Sequence, residues 1–429
     1  MAWETYYKEH LCSMEELLRR LPKENVTYIT SHAAGEPKAI NHAIAENFAL
    51  FHNVTIFNLL VVGEAPYCRP EVAGHLRYRT IFAGSDTRTP IAEKRADYVP
   101  LYYHQCPDYV RTKLKPDVAI LHVSPPDTHG WCSFGVTVDF QMAAAETASL
   151  VVAQVNPLMP RTLGNCRIHI SQIDYLVEAT QALAQVLPAK IGDVEKAIGA
   201  NCAALIHDRD CLQLGIGAIP DAVLSLLGTK RELGIHSEMV SDGIVDMMEA
   251  GVITNRYKQL DVGASTATFL MGTDKLYRYA HDNPGFNMTP VDYSNDPRVI
   301  CRQDNMVAVN SALQVDLFGQ VAADTMGKLQ FSGPGGQVDF IRGTNMSRGG
   351  RNIIAMPSTA KHGTLSRISL LLPTGSAVTT NRFDVDYVIT EYGTAQLWGK
   401  TLTQRAEALI SIAHPDFRDA LKKEYQLYY

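Results

Sequence analysis

Apolar residues in this chain come in short unbroken runs. NVTIFNLLVV, DVAILHV, SLVVAQV, NIIAMP and DYVIT are each close to strand length and apolar at most positions. A strand with one wet face alternates, whereas a continuous apolar run suits a strand covered on both faces of a mostly parallel sheet. Between these runs lie helical patterns, in AINHAIAENFALF, DFQMAAAETA, IPDAVLSLL and GIVDMMEAG. The alternation occurs twice, which predicts an α/β protein with two open-sheet domains.

A weak internal repeat predicts that the two domains are related. GEPKA (35–39) matches GAIPDA (217–222), and GVTVDF (135–140) matches GGQVDF (335–340). VVAQVN (151–156) matches IIAMPS (353–358), and IDYLVE (173–178) matches VDYVIT (385–390). The four matches keep their order, and their separation drifts only from about 180 to about 210 residues. A length of 429 residues also favours two domains. The expected domains are 1–190 and 191–429, divided near LPAKIGDVEKAIGANCAALI.

Composition narrows the function classes. The chain is 46% hydrophobic and 20% charged, as expected of a folded globular protein. Its formal net charge of −6 argues against a general binder of nucleic acid or acidic membrane. No uncharged apolar run of about 18 residues offers a membrane span. The opening MAWETYYKEHLCSMEELLRRLP is charged, helical in pattern and without the apolar centre of a secretory signal. The eight cysteines include no CxxC pair, and His104/Cys106 and His129/Cys132 do not complete a zinc site. The 14 histidines are dispersed and HExxH is absent. No metal is expected, and reduced thiols in a cytoplasmic enzyme are the simplest expectation.

Ligands of such sheets bind beyond the carboxyl ends of the strands, so glycine turns that lead into helices are the places for chemistry. Gln213-Leu214-Gly215-Ile216-Gly217 precedes a helical pattern that holds Pro220. Its amides suit an oxyanion at a helix terminus, and the same turn also reads as a tight strand–helix connection. It lacks the third glycine of a dinucleotide fingerprint. The stretch 332–340, SGPGGQVDF, carries Gly333, Gly335 and Gly336 and leaves room beside a thioester or pantetheine arm. Its first-half counterpart retains only Gly135, so the added glycines read as functional. In GIHSEMVSDG (234–243), a strand runs toward an Asp242-Gly243 turn signal with Glu238 in its middle. A carboxylate among apolar residues loses hydration and requires compensation by amides, an amine or a function. A solvated acid at a strand end is the plainer reading.

HSEM-x-SDG, QLGIGAIPDA, QFSGPGGQVDF, AMPS and TEYG-x-A together resemble the acetyl-CoA hydrolase/transferase family, and the likeness extends from WETYYKEH to IAHPDFRDAL. The resemblance implies two similar open-sheet domains of the CoA-transferase, NagB-like fold, with the active site in the interdomain cleft. It implies that Glu238 is a covalent nucleophile, and that CoA moves between a short-chain acyl-CoA (4-hydroxybutyryl-CoA or similar) and acetate. Coenzyme A is then a co-substrate, with no tightly bound cofactor. Gln213, Leu214, Gly215, Ile216, Gly217, Asn310, Gly333, Gly335, Gly336 and Lys361 are the implied CoA-site residues. Gln337, His32 and Ser31 are candidates to bind the acyl group. The implied partners are acyl-CoA and short-chain carboxylic acids, with no nucleic acid and no membrane, and a homodimer or higher homo-oligomer is expected. A short-acyl-CoA hydrolase stays open as an alternative, as does a non-catalytic CoA-binding protein on the same scaffold.

Overall fold

The computed structural model describes residues 2–429. The chain forms two compact units, one of Met1–Val186 with Thr266–Ser294, the other of Leu187–Ser265 with Asn295–Tyr429. Among the described residues, no helix is long and apolar enough to cross a membrane.

The first unit is built on seven strands: β1 (Thr27–Thr30), β2 (Val54–Phe57), β3 (Leu76–Thr80), β4 (Ala96–Tyr98), β5 (Val118–Val123), β6 (Leu150–Val155) and β7 (Tyr175–Glu178). They lie in the order β4-β3-β2-β1-β5-β6-β7, and every neighbouring pair is parallel. All six residues of β5 are buried, as its unbroken apolar run predicts. Tyr28, Ile56, Tyr78, Val118, Val152 and Val177 share one core cluster, each from a different strand. Helix α1 (Lys38–Glu46) follows β1 and adds Ile40 and Ile44 to that core. Helix α2 (Gln141–Thr147) lies between β5 and β6.

The second unit carries six strands: β8 (Cys211–Leu214), β9 (Gly234–Ile235), β10 (Met306–Asn310), β11 (Arg351–Ala355), β12 (Tyr387–Thr390) and β13 (Gly393–Gln396). Their order is β9-β8-β10-β11-β12-β13. All pairs are parallel except the last, where β13 turns back antiparallel on β12. Helix α3 (Ala218–Ser225) follows β8, α4 (Asp242–Glu249) follows β9, and α5 (Gln337–Met346) separates β10 from β11.

The four repeat matches fall at equivalent places in the two sheets. GEPKA enters the helix after β1, and GAIPDA enters the helix after β8. GVTVDF leads into α2, whereas the QVDF of GGQVDF is already the first turn of α5, and the last two matches coincide with β6 and β11, then β7 and β12. The order β2-β1-β5-β6-β7 thus recurs as β9-β8-β10-β11-β12.

Segment 266–294 follows chain order only superficially, because it packs within the first unit. Thr137 bridges Phe269, and Gly164 bridges Met288. A Cβ on Gly164 would lie 2.4 Å from the Met288 carbonyl oxygen, so the close approach needs glycine. Two local readings change. The run NVTIFNLLVV is a strand only over Val54–Phe57, because Asn58 turns its side chain to the Ser31 carbonyl. Asp242-Gly243 does not make a turn but opens α4, where a Cβ at Gly243 would meet Leu224 Cδ1 at 2.8 Å.

Asp386 stands at the entrance to β12, with Oδ1 buried and without a hydrogen-bond partner among the described residues. Burial pushes its carboxyl up to about 6, against the opposing pull of Gln396 and Arg351. The folded chain therefore holds this proton more tightly than the unfolded chain. Its stabilising contribution is complete below about pH 4 and is lost as pH rises through about 6. Asp386→Asn is expected to raise the melting temperature at pH 8 and to leave it near the wild-type value at pH 4, which thermal melts across that range would read.

Candidate active site

In the second unit, β8 ends in the Gln213–Gly217 turn. Gly217 caps α3 with φ +108°, a conformation that a residue with a Cβ rarely adopts. A Cβ on Gly215 or Gly217 would meet nothing within 4 Å. The turn is therefore not held open for packing; Gly217 answers to its backbone angle, and Gly215 leaves backbone bare beside free space. Leu214 is buried and Ile216 exposed. Gln213 Oε1 accepts a 3.0 Å hydrogen bond from Asn310 Nδ2 at the end of the adjacent β10.

The HSEM segment leaves β9 beside this turn. The His236 amide donates to the Leu212 carbonyl, and Ser237 Oγ donates to the Leu214 carbonyl at 3.3 Å. These buried residues fasten the segment to the end of β8. His236 Nδ1 accepts from Gln303 Nε2 at 3.3 Å, which fixes the ring from behind. Glu238 comes next and is half-buried, with buried residues on both sides.

The Glu238 carboxylate is tightly placed. Its Oε2 accepts a 2.8 Å hydrogen bond from Nδ2 of Asn295, a residue with no exposed surface. Gly336 lies directly against the pair: a Cβ there would be 2.2 Å from Glu238 Oε2 and 2.5 Å from Asn295 Nδ2. Gly335 has φ +50°, and Gly336 caps α5. The carboxylate thus packs against the start of a ten-residue helix, where the helix dipole favours negative charge. The glycine-rich loop therefore serves Glu238 directly.

The remaining candidates are arranged differently. Gly333 is buried. Gln337, the first residue of α5, is also buried and directs Nε2 to Thr380 Oγ1 at 3.3 Å. Lys361 is exposed at the tip of a hairpin between Thr359–Ala360 and Leu365–Ser366. It has φ +49° and is followed by two further left-handed residues, His362 and Gly363. Ser358 sends both its amide and its hydroxyl to the Glu391 carboxylate, at 2.9 and 2.6 Å, which joins the AMPS and TEYG motifs.

In the first unit, Ser31 and His32 follow β1 and are fully buried. His32 Nε2 lies 2.5 Å from Asp139 Oδ2, and the Tyr103 hydroxyl is 3.2 Å from both. Nearby, Asn41 and Tyr67 donate to Glu36 Oε1. Burial pushes the Glu36 carboxyl up, while those two hydrogen bonds pull it down. Among the described residues, no three His, Cys, Asp or Glu side chains come together as metal ligands.

Sequence reasoning missed Asn295, which lies 57 positions from Glu238 in an ordinary loop and carries no local signal. It also passed over Asp139, although GVTVDF was already marked by the repeat, and over the Ser358–Glu391 pair, although both motifs had been singled out.

Comparison with known proteins agrees with the two-part architecture. The N-terminal domain of the acetyl-CoA hydrolase/transferase family matches residues 1–188, and its C-terminal domain matches residues 272–425. A 4-hydroxybutyrate coenzyme A transferase from Clostridium kluyveri is 50% identical over 427 residues, 99% of both chains. A succinyl-CoA:cyclohexane-1-carboxylate CoA transferase from Geobacter metallireducens is 42% identical over 98% of this chain and 96% of its own. The crystal structure of a 4-hydroxybutyrate CoA-transferase from Porphyromonas gingivalis superposes with a TM-score of 0.86 at 40% identity, covering 100% of both chains. The chain belongs to the acetyl-CoA hydrolase/transferase family.

The Gly336 contact gives a direct test. Gly336→Ala would force a methyl group into the Glu238–Asn295 pair. Acyl-CoA turnover is expected to fall by about 100-fold or more, the equivalent of about 2.7 kcal/mol in barrier height. Circular dichroism should remain that of the wild type, because the severe clashes are with the carboxylate and the amide, and Phe340 Cδ2, at 3.2 Å, has only a few tenths of an ångström to give.

Proposed function

We propose that the protein is a CoA-transferase that moves CoA between a short-chain acyl-CoA, 4-hydroxybutyryl-CoA or a near analogue, and acetate, with Glu238 as the covalent nucleophile. The observation that carries this reading is the fixed Glu238 carboxylate: one oxygen is held by Asn295, and a helix start free of side chain lies against it. The transferase names borne by relatives of 40 to 50% identity support it.

The proposed chemistry starts at that carboxylate. A Glu238 oxygen attacks the acyl-CoA carbonyl; a C–O bond forms, the C–S bond breaks, and CoA leaves as thiolate. The thiolate then attacks the Glu238 side-chain carbonyl of the mixed anhydride. The first acid departs as carboxylate, and a glutamyl-CoA thioester remains. Acetate attacks this thioester to form a second anhydride and release thiolate, which takes the acetyl group and restores Glu238. Each step exchanges one activated acyl bond for another, so the energy of the thioester is retained.

Both carbonyls pass through tetrahedral oxyanions that need hydrogen-bond donors. Asn295 Nδ2 is already within reach of the glutamyl oxygen, and amides of the Gln213–Gly217 turn and the 333–336 loop are the further candidates. The Gln213–Asn310 pair borders the CoA arm in this reading. Lys361, on its exposed hairpin, acts as a point charge for a CoA phosphate. Gln337, His32 and Ser31 are the proposed acyl-group contacts.

Incubation with acyl-CoA alone is expected to leave a covalent adduct on Glu238, with the mass of CoA less one water. Borohydride or hydroxylamine should discharge it. Glu238→Ala should show neither adduct nor turnover, and full turnover in that variant would rule the mechanism out. Acyl-CoA loss measured with and without acetate separates transfer from hydrolysis. A transferase requires the acceptor, and initial rates against both substrates should give parallel double-reciprocal lines.

A further inference from the structure

A cavity of about 340 Å³ opens at the amino end of the first unit's sheet. Its walls come from the residues just before β2 and β4, the start of β3, and the two 3₁₀ turns Pro66–Cys68 and Pro70–Val72. Ser31 and His32 leave the carboxyl end of β1, so the cavity lies at the opposite end of the strands from the candidate residues of the same unit. Open parallel sheets take their main ligand at the carboxyl ends, and none of the candidate site residues lines this cavity.

The lining is chemically one-sided. Val72 and Leu76 are buried and supply apolar surface, Arg69, Arg77, Lys94 and Arg95 supply charge, and no aspartate or glutamate is among the lining residues. In a chain of formal net charge −6, four cations around one hollow are a local reversal of sign. Each arginine is held from outside the cavity. Glu64 accepts from Nε and Nη2 of Arg69, Asp97 from those of Arg77, and Glu93 from those of Arg95. These carboxylates offset much of the arginine charge, but they also fix the guanidinium planes, so little rotamer freedom is lost when a ligand binds. Arg95 Nη1 donates to the Cys68 carbonyl. The Nη1 groups of Arg69 and Arg77 have no acceptor among the described residues.

Lys94 supplies the uncompensated charge. It is exposed, pairs with no carboxylate among the described residues, and is held at φ +62°, a conformation that L-residues seldom adopt. On the rim, Gly74 has φ +84°, and a Cβ there would meet nothing within 4 Å, so bare backbone faces open space.

We propose that this cavity binds a phosphate monoester carried on a small organic group. Lys94 is its point charge, Arg69 and Arg77 donate through Nη1, and the organic group lies on Val72 and Leu76. A phosphate ion alone is far smaller than the cavity, and a purely apolar ligand would leave the cations unused. A sugar phosphate or mononucleotide answers to both the size and the charge. The ester comes from a free metabolite or from the 3′-phosphate of CoA, two sources with one chemistry. The site is independent of Glu238 and of the covalent cycle.

Titration calorimetry of the full chain with AMP, ribose 5-phosphate and adenosine, at about 0.15 M salt, tests the site. Both esters should bind saturably, and adenosine should not. Lys94→Gly, which suits the backbone angle, should weaken AMP binding about tenfold, and Lys94→Glu about 100-fold. Melting temperatures without ligand should stay near the wild-type value, because Lys94 is exposed and unpaired. Competition with AMP by CoA but not by dephospho-CoA would identify CoA's own 3′-phosphate as the bound ester; absence of competition would identify a free metabolite, and both results uphold the site. No saturable binding of either ester to the wild-type chain would overturn the proposal whatever the variants do. An AMP affinity unchanged in Lys94→Glu, or adenosine binding as tightly as AMP, would overturn it as well.

Discussion

The second unit is organised around one contact, a carboxylate oxygen packed where a side chain is missing. Glu238 needs a donor for Oε2 and a neighbour small enough to approach it; Asn295 supplies the first and Gly336 the second. Several surrounding features serve these two requirements. Gly335 takes the left-handed turn that starts α5 beneath the carboxylate. Ser237, next to Glu238, ties the HSEM segment to the end of β8.

The repeat explains how such a site arises on an ordinary scaffold. Both units use the same strand order, with a helix entered after the first central strand and a VDF motif between the next two. The units use the equivalent places differently. In the first, the VDF aspartate is turned against His32 and the backbone is strained to hold it. In the second, the glycines before VDF make room for a carboxylate from another loop. One framework thus presents a buried imidazole in one copy and a half-buried carboxylate in the other.

The core strands and the helices between them were legible because burial on two faces leaves a continuous apolar run, and helix burial leaves a period near 3.6. The glycine loops were legible because bare backbone is a compositional signal in itself. Asn295 was not, since nothing around SNDP marks an amide that will meet a glutamate 57 residues away. The Asp242-Gly243 turn signal misled for a similar reason. That glycine answers to Leu224, a neighbour in space that no local rule can see.

By itself the sequence determined the α/β class, the duplication and the parallel strands, while only its resemblance to a known family pointed to Glu238. These follow from short-range periodicity and from motifs that need no partner. Tertiary structure alone decided which amide holds Glu238, which ring nitrogen of His32 lies without a partner, and that 266–294 joins the first unit. Each of these depends on residues far apart in the chain, and only folding sets the distances across which hydrogen bonds and steric exclusion act.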